Sequence, residues 1–139
     1  MMRAFASVLV VLLGTYLIVL AAASFAYPNR AESFLRGFAG SAARHYLELA
    51  LRFIAGAALL VSAPGMLFTG IHVIVGWVLV STTAALALLP WRLHHRFAAW
   101  GVPLAVANLR LVGFASFAIG GFIVASVLFG VDASTGNSK

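Results

Sequence analysis

Four stretches of this chain are apolar for long enough to cross a lipid bilayer as helices, and no other feature limits its fold as much. About 20 helical residues, rising 1.5 Å each, cross a hydrocarbon core of about 30 Å. The first stretch runs from about Ala4 to Ala26 without a charge, its centre reading Val8-Leu9-Val10-Val11-Leu12-Leu13. Tyr27 then sits where an interfacial aromatic belongs, and Pro28 ends the helix. The second stretch, about Tyr46 to Ala63, carries Glu48 and Arg52 in its first two turns and closes at Pro64-Gly65. The third runs from about Gly70 to Leu89, with His72 near its start and Pro90-Trp91 at its end. The fourth is Leu111 to Gly130, and its helix could begin at Pro103, since proline suits a first helical position.

Composition agrees with this reading. Of the 139 residues, 63% are hydrophobic and 9% charged, whereas a soluble domain carries about 25% charged residues. So few charges do not cover a water-exposed surface, and lipid must supply part of the solvent. The expected fold is all-α: one membrane domain over residues 1–131, a four-transmembrane-helix bundle, with a disordered tail over 132–139. There is no cysteine, which excludes disulfides, thiol redox chemistry and iron–sulfur ligation.

The connections differ in character. The link from Pro64 to Thr69 is short and uncharged, while the first and third connections are long and basic. In the first, Asn29 and Glu32 have the spacing of a capping box, and Phe34, Leu35 and Phe38 share one face while Arg36 points elsewhere. In the third, Leu93, Phe97 and Trp100 fall at i, i+4 and i+7, with Arg92, His95 and Arg96 opposite. Both segments suit short helices lying on a membrane surface. The competing reading is a solvated loop with scattered aromatics.

The net charge of +6 is distributed unevenly. With four spans, Arg30, Arg36, Arg44, Arg92, Arg96 and Arg110 share one side, joined by Arg52 if its side chain snorkels. The other side has Arg3 and Lys139. The positive-inside rule then puts both long connections in the cytoplasm and both termini outside. A cleaved signal ending at Ser24-Phe25-Ala26 is the alternative, but it would leave the arginine-rich segment 30–44 outside, against that rule. Because the basic residues lie between apolar runs, anionic headgroups are the expected partner rather than nucleic acid.

At an offset of 62 residues the first stretch lies on the third. Seven of 23 positions match between Val8–Arg30 and Gly70–Arg92, including Gly14 with Gly76, Pro28 with Pro90 and Arg30 with Arg92. A tandem repeat of a two-helix hairpin is one explanation. Convergence of two helix exits on one interface chemistry is the other.

Chemistry-bearing residues are few. Arg44, Glu48 and Arg52 line one helix face, with His45 three residues from Glu48, and Arg110 enters the fourth span at similar depth. A carboxylate near hydrocarbon must be paired, hydrated or protonated, so Glu48 is expected to pair with Arg52, Arg44 or Arg110 as an interfacial anchor. Anion binding and proton coupling are the functional alternatives. His94 and His95 are adjacent and point apart, and His45 and His72 lie near opposite surfaces, so no metal, haem or other cofactor is expected. Ser116-x-x-x-Gly120, Gly121-x-x-x-Ala125 and Ala58-x-x-x-Ser62 offer small-residue faces for helix contact.

No nucleophile–base pair, P-loop or dinucleotide fingerprint is present, which argues against an enzyme. The expected function is a non-enzymatic accessory or assembly protein whose basic face meets anionic lipid, a membrane-protein partner or a second copy of itself. A small transporter or channel for a hydrophobic or anionic solute is the alternative, to be recognised by a water-lined cavity reaching Thr82 or Ser116. The stretches Arg44-His45-Tyr46-Leu47-Glu48 and Leu89-Pro90-Trp91-Arg92 resemble uncharacterised small bacterial inner-membrane proteins. That resemblance implies a four-helix fold and a bacterial inner-membrane location, and brings no activity or site residues with it.

Overall fold

The computed structural model describes residues 1–38, 42–89 and 100–135, with the side chains of Phe38, Ala42 and 131–135 left aside. The described chain is helical nearly throughout and contains no strand. Helix α1 spans Met2–Ala26, α2 Pro28–Phe38, α3 Ala42–Ser62 and α4 Thr69–Leu88. A 3-10 turn over Ala63–Gly65 joins α3 to α4. Residues 100–107 are helical (α5), and α6 covers Leu109–Thr135. Four of these helices, α1, α3, α4 and α6, contain segments long and apolar enough to cross a membrane.

Local chemistry sets the helix ends. Proline has no N–H to continue α1, so Tyr27 leaves the helical region while its N–H still reaches Ala23 O at 2.8 Å. Pro28 then serves as the first residue of α2, where a missing N–H costs nothing. The expected capping box therefore does not form. Asn29 lies inside α2, and Glu32 accepts a hydrogen bond from Arg36 Nε at 2.8 Å instead of reaching back. At the end of α4, Leu89 is extended (φ −80°, ψ 136°), the conformation imposed on a residue that precedes proline. Asn108 forms the turn between α5 and α6, its Nδ2 donating to Leu104 O at 2.9 Å. Pro103 thus stands within α5, not at the start of the last long helix. Helix α6 continues to Thr135, and residues 136–139 of the expected tail lie outside the described residues.

The long helices form a row. Helix α1 packs along α6 on one side and α3 on the other, and α3 packs along α4. Lipid tails are as apolar as leucine, so close approach of backbones, not apolar burial, must hold such helices together. Glycine permits it at two crossings. A Cβ on Gly120 would lie 2.6 Å from Gly14 O, and one on Gly14 would lie 3.0 Å from Gly120 O, which fixes α1 against α6. At the second crossing, a Cβ on Gly56 or on Gly76 would lie 3.1 Å from the other's carbonyl oxygen, bringing α3 against α4. The buried core, with Val10, Ala58, Leu59, Met66, Ile123 and Val127, gathers toward the 3-10 turn.

That end of the bundle is tied shut. The Leu67 N–H donates to Ser126 O at 3.0 Å, joining the α3–α4 link to α6 through backbone. Gly130 lies against the Gly65 carbonyl and Met66, with no room for a side chain. Phe68 takes the left-handed conformation (φ 54°), rare for a bulky residue, and its ring lies 5.8 Å from Phe122. His72, one turn into α4, is buried and stacks on Phe122 at 5.2 Å with the rings 3° from parallel.

Candidate functional site

The polar residues singled out from sequence fall into two groups. At the end where α1 finishes and α6 begins, Arg30, Arg36, Arg44 and Arg110 are all exposed. Arg3 stands at the opposite end, on the first turn of α1. Helix α2 holds its cations in place. Arg30 lies over the Tyr27 ring at 5.6 Å, and Arg36 pairs with Glu32 at 2.8 Å. Arg44 Nη1 donates to Gly37 O at 2.8 Å, linking the start of α3 to the end of α2. Ala31 is buried, and Phe34 sits 6.5 Å from Tyr16, so α2 lies back along α1. Arg92, His94, His95 and Arg96, and with them the amphipathic segment of the third connection, lie outside the described residues.

The second group is on α3. Arg52 Nη2 forms an ion pair with Glu48 Oε1 at 2.7 Å, the i, i+4 arrangement with the acid first. His45 is buried, 5.4 Å from the Tyr46 ring. Arg110 does not join this cluster. It rides on α6, which packs along α1 instead of α3, so the fourth span never brings it beside Glu48.

Position along the helix is the feature that sequence reasoning missed. Helix α3 begins at Ala42, four residues before the expected start of the second span. Arg52 is therefore the midpoint of the helix, ten residues from Ala42 and ten from Ser62 (52 − 42 and 62 − 52), or about 15 Å from each end. Glu48 lies six residues in, about 9 Å. The expectation of two shallow turns placed the span's start at its first aromatic. The signal that could have found the true start is Ala42-Ala43, strong helix formers ahead of Arg44.

His45, Leu49, Arg52, Gly56 and Leu59 share one stripe of α3, and all are buried except Arg52. Its side chain remains 45% exposed and that of Glu48 25%. Other buried polar groups are Ser62, His72 and Thr83, whose Oγ, Nε2 and Oγ1 atoms have no hydrogen-bond partner. His72 Nδ1 is 3.2 Å from Phe68 O. Ser116 is buried on the α6 stripe with Gly120, Gly121 has open space around it, and Thr82 Oγ1 donates to its own helix at Val78 O, 2.6 Å. Two shallow grooves, one between α1 and α3 and one between α3 and α4, are lined almost wholly by apolar side chains, and neither reaches Thr82 or Ser116. Among the described residues, no three His, Asp or Glu side chains gather as a metal site would require.

Compared with protein-family models, curated proteins and solved structures, the chain matches none.

Proposed function

We propose that this chain is a multi-pass protein of a bacterial inner membrane, with a non-catalytic accessory or assembly role, whose basic end faces the cytoplasm and holds anionic lipid headgroups. The observation that carries this reading is the clustering of Arg30, Arg36, Arg44 and Arg110, all exposed, at one end of four apolar helices, with Arg3 at the other. In this reading α2 is an interfacial helix. Its cations stand in the headgroup layer, and Phe34 and Ala31 rest on the α1 side. The apolar lining of the two grooves favours this role over transport of an anionic solute.

The tandem-hairpin reading is supported by the places where the backbones meet. Gly14 and Gly76, equivalent at the 62-residue offset, are the residues at which α1 crosses α6 and α4 crosses α3. Each hairpin thus lends one helix to the other through corresponding glycines. The symmetry is partial, because α1 packs along α3 whereas α4 and α6 are not packed in the same way.

Two measurements test the functional reading. The chain has no cysteine, so a single Ser33→Cys substitution reports the side occupied by α2. It should resist an impermeant thiol reagent in intact cells and react in inverted vesicles; labelling in intact cells would overturn the orientation. The purified protein should retain phosphatidylglycerol or cardiolipin in native mass spectra. The triple substitution Arg30→Gln, Arg36→Gln, Arg110→Gln should lose most of it, and unchanged retention would overturn the headgroup role.

A further inference from the structure

His72 is a buried titratable side chain with no part in the headgroup site. Its surroundings define one tautomer. Nδ1 lies 3.2 Å from Phe68 O, and a carbonyl only accepts, so Nδ1 carries the proton and Nε2 presents a lone pair. Nε2 is buried without a hydrogen-bond partner. The ring lies flat on Phe122 of α6. Phe68, which it bonds, holds a left-handed backbone and places its own ring 5.8 Å from Phe122. His72 therefore joins three parts: the Phe68 bend, the start of α4, and α6. That junction matters because α4 and α6 are the two ends of the row and are not packed along each other. Ring contacts on Phe122 and the Leu67–Ser126 bond tie them at the turn end.

We propose that His72 is an acid-released latch: when its ring takes a second proton it leaves Phe122, and α4 swings away from α6. The added proton makes a charged N–H at Nε2, where no acceptor stands within hydrogen-bond reach. A buried charge without a partner is expensive. The face of Phe122 attracts a cation but offers no lone pair to an N–H that points along the ring plane. Among the described side chains no carboxylate lies at this end. Helix α4 has no other titratable group, and the link over 63–68 has none. On α3 these groups are Arg44, His45, Tyr46, Glu48 and Arg52, the last of them ten residues before Ser62. On α6 they are Arg110, twelve residues before Phe122, and Asp132, ten residues after it. On α1, Tyr16 lies beside Phe34 toward the other end, while the Met1 amine and Arg3 are exposed at the turn end and repel a cation. The way out is short, since residues 68–71 are exposed and the ring lies just beneath them. Release also lets Phe68 leave its left-handed conformation. The glycine crossings of α1 with α6 and of α3 with α4 are untouched, so the row persists while its two ends separate.

The latch is independent of the chain's orientation and of headgroup binding, and it is tested in detergent micelles, where both ends meet one pH. Spin labels on Ile74→Cys of α4 and Ile119→Cys of α6, both exposed positions, report the gap between the two helices. From about pH 8 to about pH 5, the range of histidine switches, their separation should lengthen by about 5 Å, half a helix diameter. Labels on Val8→Cys of α1 and Ile119→Cys, on the two helices of the Gly14–Gly120 crossing, should keep their separation. His72→Phe keeps a ring on Phe122 and has no proton to gain. It should hold the short α4–α6 separation throughout, which distinguishes His72 from the other histidines and the Met1 amine. His72→Arg is charged at any working pH and should give the long separation throughout. Wild-type labels on α4 and α6 that stay put on acidification would overturn the proposal, whatever the variants do. So would a His72→Phe chain that responds to acid as wild type does, a folded His72→Arg chain at the short separation, or equal movement of the α1–α6 pair, which is general acid unfolding. Should either variant fail to fold, the ring-nitrogen NMR shifts of His72 in the otherwise unaltered chain decide. They must change over the same pH interval as the label separation, and a mismatch would overturn the latch.

Discussion

Near the 3-10 turn the long helices are drawn together by backbone and ring contacts, whereas halfway along α3 charged side chains stand where leucine would pack. At the turn end, Leu67 bonds Ser126, Gly130 lies on Gly65, and His72 stacks on Phe122. Leu59, Met66 and Val127 fill the space between. Toward the α2 end, Leu47, Leu51 and Phe53 are exposed, and the Glu48–Arg52 pair lies open on α3. The difference shows how such a bundle divides its tasks. Small residues and backbone bonds hold one end at close range, and that leaves the other end free to carry groups that would be too costly to enclose without partners.

This comparison can be broken most directly at the glycines. Gly120→Ala would drive a methyl into the Gly14 carbonyl, where only backbone movement makes room, and should cost about 2–3 kcal/mol. Gly121→Ala is the neighbouring control. Its Cβ meets nothing within 4 Å, so stability should hold or rise by up to about 1 kcal/mol from better helix propensity. Unfolding of both in detergent micelles by dodecyl sulfate titration reads the difference, and equal effects would mean that α1 and α6 do not cross there.

Gly56→Ala should cost less, about 1–2 kcal/mol in the same titration. Its nearest obstacle is a Val80 methyl at 2.9 Å, which can rotate away, and Gly76 O stands at 3.1 Å. A larger loss than for Gly120→Ala would reverse the ranking of the two crossings. At the turn end, His72→Ala removes the stacked ring and should cost about 1–2 kcal/mol, chiefly by opening a gap beside Phe122. Hydrogen exchange should then quicken at the Leu67 amide, which bonds Ser126, while amides near Glu48 keep their protection. Uniform acceleration would show that the two ends are one cooperative unit. The smallest effect belongs to Glu32→Gln. It removes an exposed pair with Arg36, worth no more than about 0.5 kcal/mol, and a melt should not resolve it.

Much of the architecture was legible as periodicity and length. Long apolar runs bounded by Pro28, Pro64 and Pro90 mark where helices stop, because proline acts on its own peptide bond and that of its neighbour, whatever the tertiary context. The pairing of Glu48 with Arg52 was legible for the same reason, since spacing i, i+4 brings two side chains together on any helix. Local rules misled where two of them competed. Asn29 and Glu32 match a cap, but Pro28 had already opened the helix, and Arg36 offered Glu32 a full charge in place of a backbone N–H.

The sequence by itself therefore determined the elements: where each helix ends, which residues line each stripe, and which end of the chain's hairpins carries arginine. Tertiary structure alone decided which stripes meet. Arg110 was one of three arginines weighed as a partner for Glu48, but α6 lies along α1, where Gly14 and Gly120 let the two backbones approach closely. It also decided where the charges fall along their helix, since that depends on Ala42 starting α3 and not on the spacing of Glu48 and Arg52. Spacing along a helix follows from bonds within the chain and can be counted. Contact between helices depends on the shapes of two surfaces at once, and neither surface exists until both helices have formed.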